Sequence, residues 1–268
     1  MVSILVVGAC GGDGGDDGAE GSTAAPADCL TIDEGWVAAW GASPTPGPEQ
    51  PSPDRSGESL RALLTPTFGG DEARVRLSNR DGEGPVTFEH VTIAASAEGP
   101  AVVEDTLTEV TFDGSASVTV EPGGEVVGDP LAFDVRPFEP LAVSVVGPDD
   151  MANQTQHPIA RQTSYLTPPG AGDHTADVDG DAFTETTTSR PFVTGLDVRR
   201  SEPAGAVVAF GDSITDGYQG EAPNGFPESP EGIDEDGRYP DVLARRLVET
   251  RQPLSVVNAG ISGNRVVS

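Results

Sequence analysis

Val207-Val208-Ala209-Phe210-Gly211-Asp212-Ser213-Ile214-Thr215-Asp216-Gly217 decides the reading of this chain. Its first four residues are an apolar, partly β-branched run, the mark of a short buried strand. The Gly-flanked polar segment after them predicts a strand-to-helix turn. Ser213 therefore belongs at the carboxyl end of a buried strand, where open α/β sheets place their ligands. A serine there turns its hydroxyl to a crevice and its own N–H toward a helix N-terminus. That suits a nucleophile that attacks a carbonyl and then holds the oxyanion.

Downstream, Tyr218 to Gly237 reads as a long Gly/Pro/Glu/Asp loop, and long ordered loops are often functional. A helix is predicted from near Pro240, with Asp241 placed well against its dipole. Leu243 and Leu247 form an i, i+4 stripe with Val242 and Val248 beside them. Leu254-Ser255-Val256-Val257 is the next strand, ending in Asn258-Ala259-Gly260-Ile261-Ser262-Gly263-Asn264. This is a β-α-β unit, whose strands are expected to be parallel with a right-handed crossover. Its two carboxyl-end turns then open on the same sheet edge.

Upstream, a boundary falls at Arg199 to Gly205, and the pattern before it differs. Trp36-Val37-Ala38-Ala39-Trp40 is apolar, and its tryptophans read as core anchors rather than a sugar platform. Short apolar segments follow at Ser59–Leu64, Ala73–Leu77, Pro85–Ala94, Leu107–Phe112, Ser117–Val120, Leu131–Val135 and Leu141–Val146. Such spacing, with turn signals between, predicts an all-β sandwich or jelly roll. Arg74, Arg76 and Arg80 could bind carboxylated sugars, but a solvated strand face paired with nearby acids is the simpler reading. Met151 to Arg200 is less regular and holds His157 and His174. Asp173, Asp177, Asp179 and Asp181 around His174 loosely resemble a calcium loop, without its glycine or its bidentate Glu in place; a plain acidic loop is expected. His90 reads as an ordinary strand residue.

Among its 268 residues, Asp+Glu number 44 against Lys+Arg 15, a net charge of −29, and every basic residue is arginine. Such a surface repels phosphate backbones, which argues against nucleic-acid binding. The cysteines are Cys10 and Cys29, too few for a disulfide framework and in no metal-ligand pattern. Val2 to Ala9 is apolar but too short to span a bilayer. Val7-Gly8-Ala9-Cys10 is similar to a bacterial lipoprotein cleavage box, with valine where leucine is commonest and no basic region before it. Gly11 to Ala27 is too poor in apolar residues to fold and reads as a tether.

Val207 to Gly217 and Val256 to Arg265 together resemble the first and second sequence blocks of the SGNH/GDSL hydrolases. The start of the chain resembles a secreted bacterial branch of that family, related to carbohydrate esterases, with a β domain before the hydrolase domain; Val75 to Arg80, Gln162 to Tyr165 and Gly172 to Thr175 carry that likeness. The resemblance implies Ser213 as nucleophile and oxyanion N–H donor, Gly263 as second oxyanion N–H donor, and no metal or organic cofactor. It also implies an oxyanion-hole asparagine and an Asp-x-x-His general base, both well downstream of Ser213. His90, His157 and His174 all precede Ser213, so the base is expected to be absent from this chain, which ends at Ser268, and the chain as given is expected to be inactive.

The expected architecture is two-domain. Residues 1–10 are a signal or lipobox remnant, and 11–34 an acidic tether. Residues 35–200 are an all-β sandwich or jelly-roll-like domain. Residues 204–268 are the first β-α-β part of a three-layer α/β SGNH hydrolase (flavodoxin-like) domain, marginal alone and with unprotected strand edges. The expected function is a secreted, Cys10-anchored serine esterase acting on carboxylic esters, acetylated polysaccharide being the class the resemblance implies. The alternative is a surface-anchored β-domain carbohydrate or interaction module with a hydrolase remnant. Membrane contact is expected only through a lipid on Cys10. Nothing in the sequence bears on oligomeric state.

Overall fold

The computed structural model describes the backbone of residues 3–6 and, in full, residues 35–46, 56–147, 155–202, 204–218 and 232–265. Cys10, Cys29, the tether and residues 219–231 of the long loop lie outside the described residues.

The strands, in chain order, begin with β1 (Ser3–Val6), β2 (Trp36–Gly41), β3 (Ser59–Leu64), β4 (Gly70–Asn79), β5 (Val86–Phe88) and β6 (Val91–Ala95). Next come β7 (Thr108–Glu109), β8 (Val118–Val120), β9 (Gly124–Val127), β10 (Leu131–Val135), β11 (Leu141–Val146) and β12 (Gln156–His157). The series closes with β13 (Ser164–Leu166), β14 (Glu185–Thr187), β15 (Arg190–Pro191), β16 (Val193–Arg199), β17 (Gly205–Gly211) and β18 (Leu254–Gly260). The helices are α1 (Ser213–Asp216) and α2 (Tyr239–Glu249).

Two antiparallel sheets build the β domain. One has the order β10-β4-β16-β2, with β9 also on β4; the other has the order β14-β13-β3-β11-β6-β7. Alternation sets which residues face inward. In β4 Ala73, Val75 and Leu77 are buried while Arg74 and Arg76 point away. They meet Leu60, Ala62, Ile93, Val143 and Val145 of the other sheet in one core. The arginine face is paired as the simpler reading expects: Asp197, itself buried, accepts from Arg74 Nε at 2.9 Å and from Arg76 Nη2 at 2.6 Å.

Three expectations change. The two tryptophans do not share a face. The β2–β16 register slips, with Leu196 opposite Trp40 but Asp197 opposite Ala38. This bulge turns Trp40 inward. Trp36 stays on the outer face, stacked under the guanidinium of Arg74 at 4.4 Å and that of Arg199 at 5.3 Å. The irregular stretch before the boundary contains β16, the strand between β4 and β2. His90 is not within a strand: it joins β5 to β6 and bonds to Asp173 and Thr175.

Buried Arg61 explains the remaining irregular segment. Its Nε donates to Ser144 Oγ and its Nη atoms to the carbonyls of Pro100, His174, Thr175 and Asp177, with the guanidinium 4.3 Å from the Phe183 ring. Burial pulls it down to about 10, still charged at neutral pH. The aspartates read as a loose calcium loop serve this segment instead. Asp173 holds His90 and Thr175, and Asp177 holds His174. Among the described residues no group of three or more His, Cys, Asp or Glu gathers to hold a metal.

β17 and β18 are parallel, paired from Gly205 opposite Leu254 to Gly211 opposite Gly260. β18 runs three residues further than expected. α2 starts one residue before Pro240, with Asp241 bonded to the backbone N–H and the guanidinium of Arg238. Ala244, Leu243 and Leu247 pack on Val207 and Val256, whereas Val242 and Val248 face outward. The strand edges are occupied. β1 pairs antiparallel with β17, Ser3 opposite Phe210. On the far edge of β18, Thr67 Oγ1 donates to the Val256 carbonyl at 2.8 Å and accepts the Val256 N–H at 3.0 Å. One β-domain hydroxyl thus completes the strand that carries the second turn. Thr67→Val should strand both buried groups, each worth about 1–3 kcal/mol. Its thermal midpoint should drop while Thr67→Ser stays near wild type, measured by near-UV circular dichroism.

Candidate active site

The first turn is built as predicted. α1 begins directly after β17, and Asp212, its N-cap, accepts the Ile214 N–H at 3.0 Å. Gly217 closes the turn in the left-handed region, at φ 96°. Ser213 is half-buried at its start. Its Oγ and N–H have no hydrogen-bond partner among the described residues.

The second turn lies beside it. Ile261 N–H donates to the Gly211 carbonyl at 3.1 Å, and Asn258 Nδ2 to the Thr215 carbonyl at 2.8 Å. The contact leaves no room at Gly260, where a Cβ would stand 2.3 Å from Asp216 N. Gly263 has φ +87°, a conformation suited to glycine, and its N–H also has no partner among the described residues. Both turns therefore bring an uncommitted backbone donor to one sheet edge, the raw material of an oxyanion hole.

Asp216 joins them. This buried carboxylate accepts from Ser262 N–H at 2.8 Å and Ser262 Oγ at 2.7 Å through Oδ2. Its Oδ1 is hydrogen-bonded to His157 Nε2 at 2.9 Å. His157, on β12, was not expected at this site. Sequence reading placed it in the β domain, and so it is, but at the face that meets the turn. A histidine in a polar, strand-poor segment gives no sign of such docking; Asp216, inside the motif, was the available clue. His90 and His174 bond instead to Asp173 and Asp177 in the β domain. Arg80 is exposed on β4's far end and, like Arg74 and Arg76, takes no part here.

A small cavity of about 10 Å³, the scale of one water, lies against His157, Asp216, Arg190, Arg238 and Asn258. Arg190 is buried over the Trp40 ring and pulled down to about 9 by that burial and by Arg238. Ile214, Gly217, Tyr218, Arg161, Arg238 and Tyr239 line a crevice of about 460 Å³ against the α1 turn. The β domain supplies Arg161 to its wall, and the Arg161 carbonyl accepts the Asp234 N–H, while the Asp234 carboxylate accepts from Thr163 N–H and Oγ1, both at 2.6 Å.

Asp236, two residues further on, has its carboxyl pushed up by burial and by nearby Asp241, against the pull of Thr65, Arg238 and Arg245. A raised folded value means the fold binds this proton more tightly than the unfolded chain does. Its stabilising effect is complete below the ordinary carboxylate range and is lost as pH rises through the folded value. Asp236→Asn, which does not titrate, should therefore gain on wild type as pH increases from about 4 to 8, followed by urea midpoints. Gly260→Ala should destabilise the fold by about 1–3 kcal/mol and so lower that midpoint, because its Cβ must displace the α1 backbone.

Residues 207–268, which hold both turns, match the sequence model of the family described as GDSL-like Lipase/Acylhydrolase. Comparison with curated proteins finds no match. Among solved structures, a clostridial cysteine protease, Cwp84, after propeptide cleavage is similar at 11% identity with a TM-score of 0.32, over 59% of this chain and 38% of that one. The match at residues 207–268 supports a hydrolase of ester substrates in general.

Proposed function

We propose that this chain carries the nucleophile and oxyanion half of a serine carboxylic-ester hydrolase of the SGNH type. The observation that carries the reading is the pairing of turns: Ser213, with hydroxyl and N–H uncommitted, beside the turn of Gly263, whose N–H is also uncommitted. Ser213 Oγ attacks the ester carbonyl carbon, and the displaced electron pair settles on the carbonyl oxygen. The N–H groups of Ser213 and Gly263 stabilise that oxygen, at roughly 3–4 kcal/mol for one such donor. Collapse expels the alcohol, and water then releases the acid from the acyl-serine.

The Ser213 proton needs an acceptor. His90, His157 and His174 are all bonded elsewhere. A base of the Asp-x-x-His kind, from sequence C-terminal to these residues, completes the reading, as does a three-layer α/β domain around β17, α2 and β18. Acetyl groups on polysaccharide are the substrate class that the carbohydrate-esterase likeness favours. Val7-Gly8-Ala9-Cys10 favours a cell-surface enzyme anchored through Cys10. Processing there would remove β1 and bare the edge of β17, a place for a further strand.

The protein as encoded by its gene should hydrolyse p-nitrophenyl acetate, and Ser213→Ala should cut kcat by about a thousandfold or more. Unchanged turnover in that variant refutes the nucleophile. Residues 1–268 alone should show little turnover above the uncatalysed rate.

A further inference from the structure

His157 meets only acceptors. Its Nδ1 lies 2.9 Å from the Ser43 carbonyl oxygen. Its Nε2 lies 2.9 Å from Asp216 Oδ1 and 3.2 Å from the Ile159 carbonyl oxygen. A carbonyl oxygen cannot donate, so Nδ1 must carry a proton. Asp216 accepts both Ser262 bonds through Oδ2, and one proton joins its Oδ1 to Nε2. Both ring nitrogens of His157 are therefore committed, and neither is free to take a proton from Ser213.

We propose that His157 is instead a positioning residue, a clamp from the β domain that holds Asp216, and through it the Ser213 and Ser262–Gly263 turns, in one arrangement. The inference rests on the ester-hydrolase reading only for its effect on rate; the clamp itself is independent of it. The geometry is that of a built junction. Both side chains are nearly solvent-free, at 6% and 3% exposure. The imidazole is set by the β12–β15 pair, with His157 opposite Arg190, and by the Ser43 carbonyl. The carboxylate is set by α1 packed on Gly260. The charges facing His157 across the cavity are Asp216 of α1, Arg190 of β15 and Arg238 just before α2. Arg238 is neutralised by a two-pronged contact with Asp241.

The test is amide hydrogen exchange on the whole chain, without substrate. In His157→Leu, the Ser262 N–H should exchange roughly tenfold faster, the equivalent of one hydrogen bond to a charged group. The amides of β3 and β11 should keep their wild-type rates, showing that the sandwich is folded. His157→Gln retains one donor for Asp216 and should fall between the two. Equal Ser262 protection in wild type and His157→Leu overturns the clamp. In the gene-encoded enzyme, His157→Leu should lower kcat for p-nitrophenyl acetate with KM little changed; an unaltered kcat overturns the positioning role. Failure of the Ser213→Ala test would overturn the hydrolase reading and leave the exchange result standing.

Discussion

The Asp216 carboxylate is the group on which the candidate site depends. An unpaired buried carboxylate costs several kcal/mol, so the fold must bring it partners. Here they come from three stretches of sequence: α1 carries the charge, the turn after β18 supplies Ser262 twice, and β12 supplies His157. The three meet at this one carboxylate. Ser213 sits at one end of this network and Gly263 at another, one residue beyond Ser262. The relative placement of Ser213 and Gly263 therefore follows in part from satisfying one buried group.

That dependence makes the β domain part of the site rather than an attachment to it. Thr67 caps the edge of β18 with one hydroxyl that both donates and accepts. Thr163 holds Asp234, and the Arg161 carbonyl holds its N–H, so the 234–238 segment is fixed against the sandwich. Two parallel strands and a helix have too little apolar surface to stand alone. Polar groups of the β domain take over what further strands would otherwise satisfy, and they do so at specific atoms, which fixes orientation as well as stability.

Periodicity made most of the sandwich legible. Ser59–Leu64, Leu131–Val135 and Leu141–Val146 are strands with the bounds that their apolar runs predict. β16 was not legible, because Gly195 and Asp197 interrupt its pattern. Both have partners on β4: Asp197 takes two arginines, and a Cβ at Gly195 would lie 3.0 Å from Arg76 Cδ. A strand whose residues are chosen by cross-strand neighbours loses its own alternation. Trp36 and Trp40 failed for a related reason, since a bulge is a property of a strand pair and leaves no mark in one strand's sequence. At the site, Ser213 and the two turns could be read locally. His157 could not, because its partner is 59 residues away and its role follows from which atoms surround it.

The acidic surface follows from how the arginines are used. There are 15 basic residues, all arginine, against 44 acidic ones. Arg61 and Arg190 are buried, Arg74 and Arg76 neutralise Asp197, and Arg238 neutralises Asp241. Arg245 reaches the Asp236 carbonyl and stacks on Phe138, and Arg199 pairs with Glu72. A planar guanidinium can serve several carbonyls at once, as Arg61 does, and an ammonium with its compact charge serves that geometry poorly. Arginines committed inside leave the outer charge to aspartate and glutamate. The interior chemistry that holds the two turns together thus also contributes to the negative field of the surface.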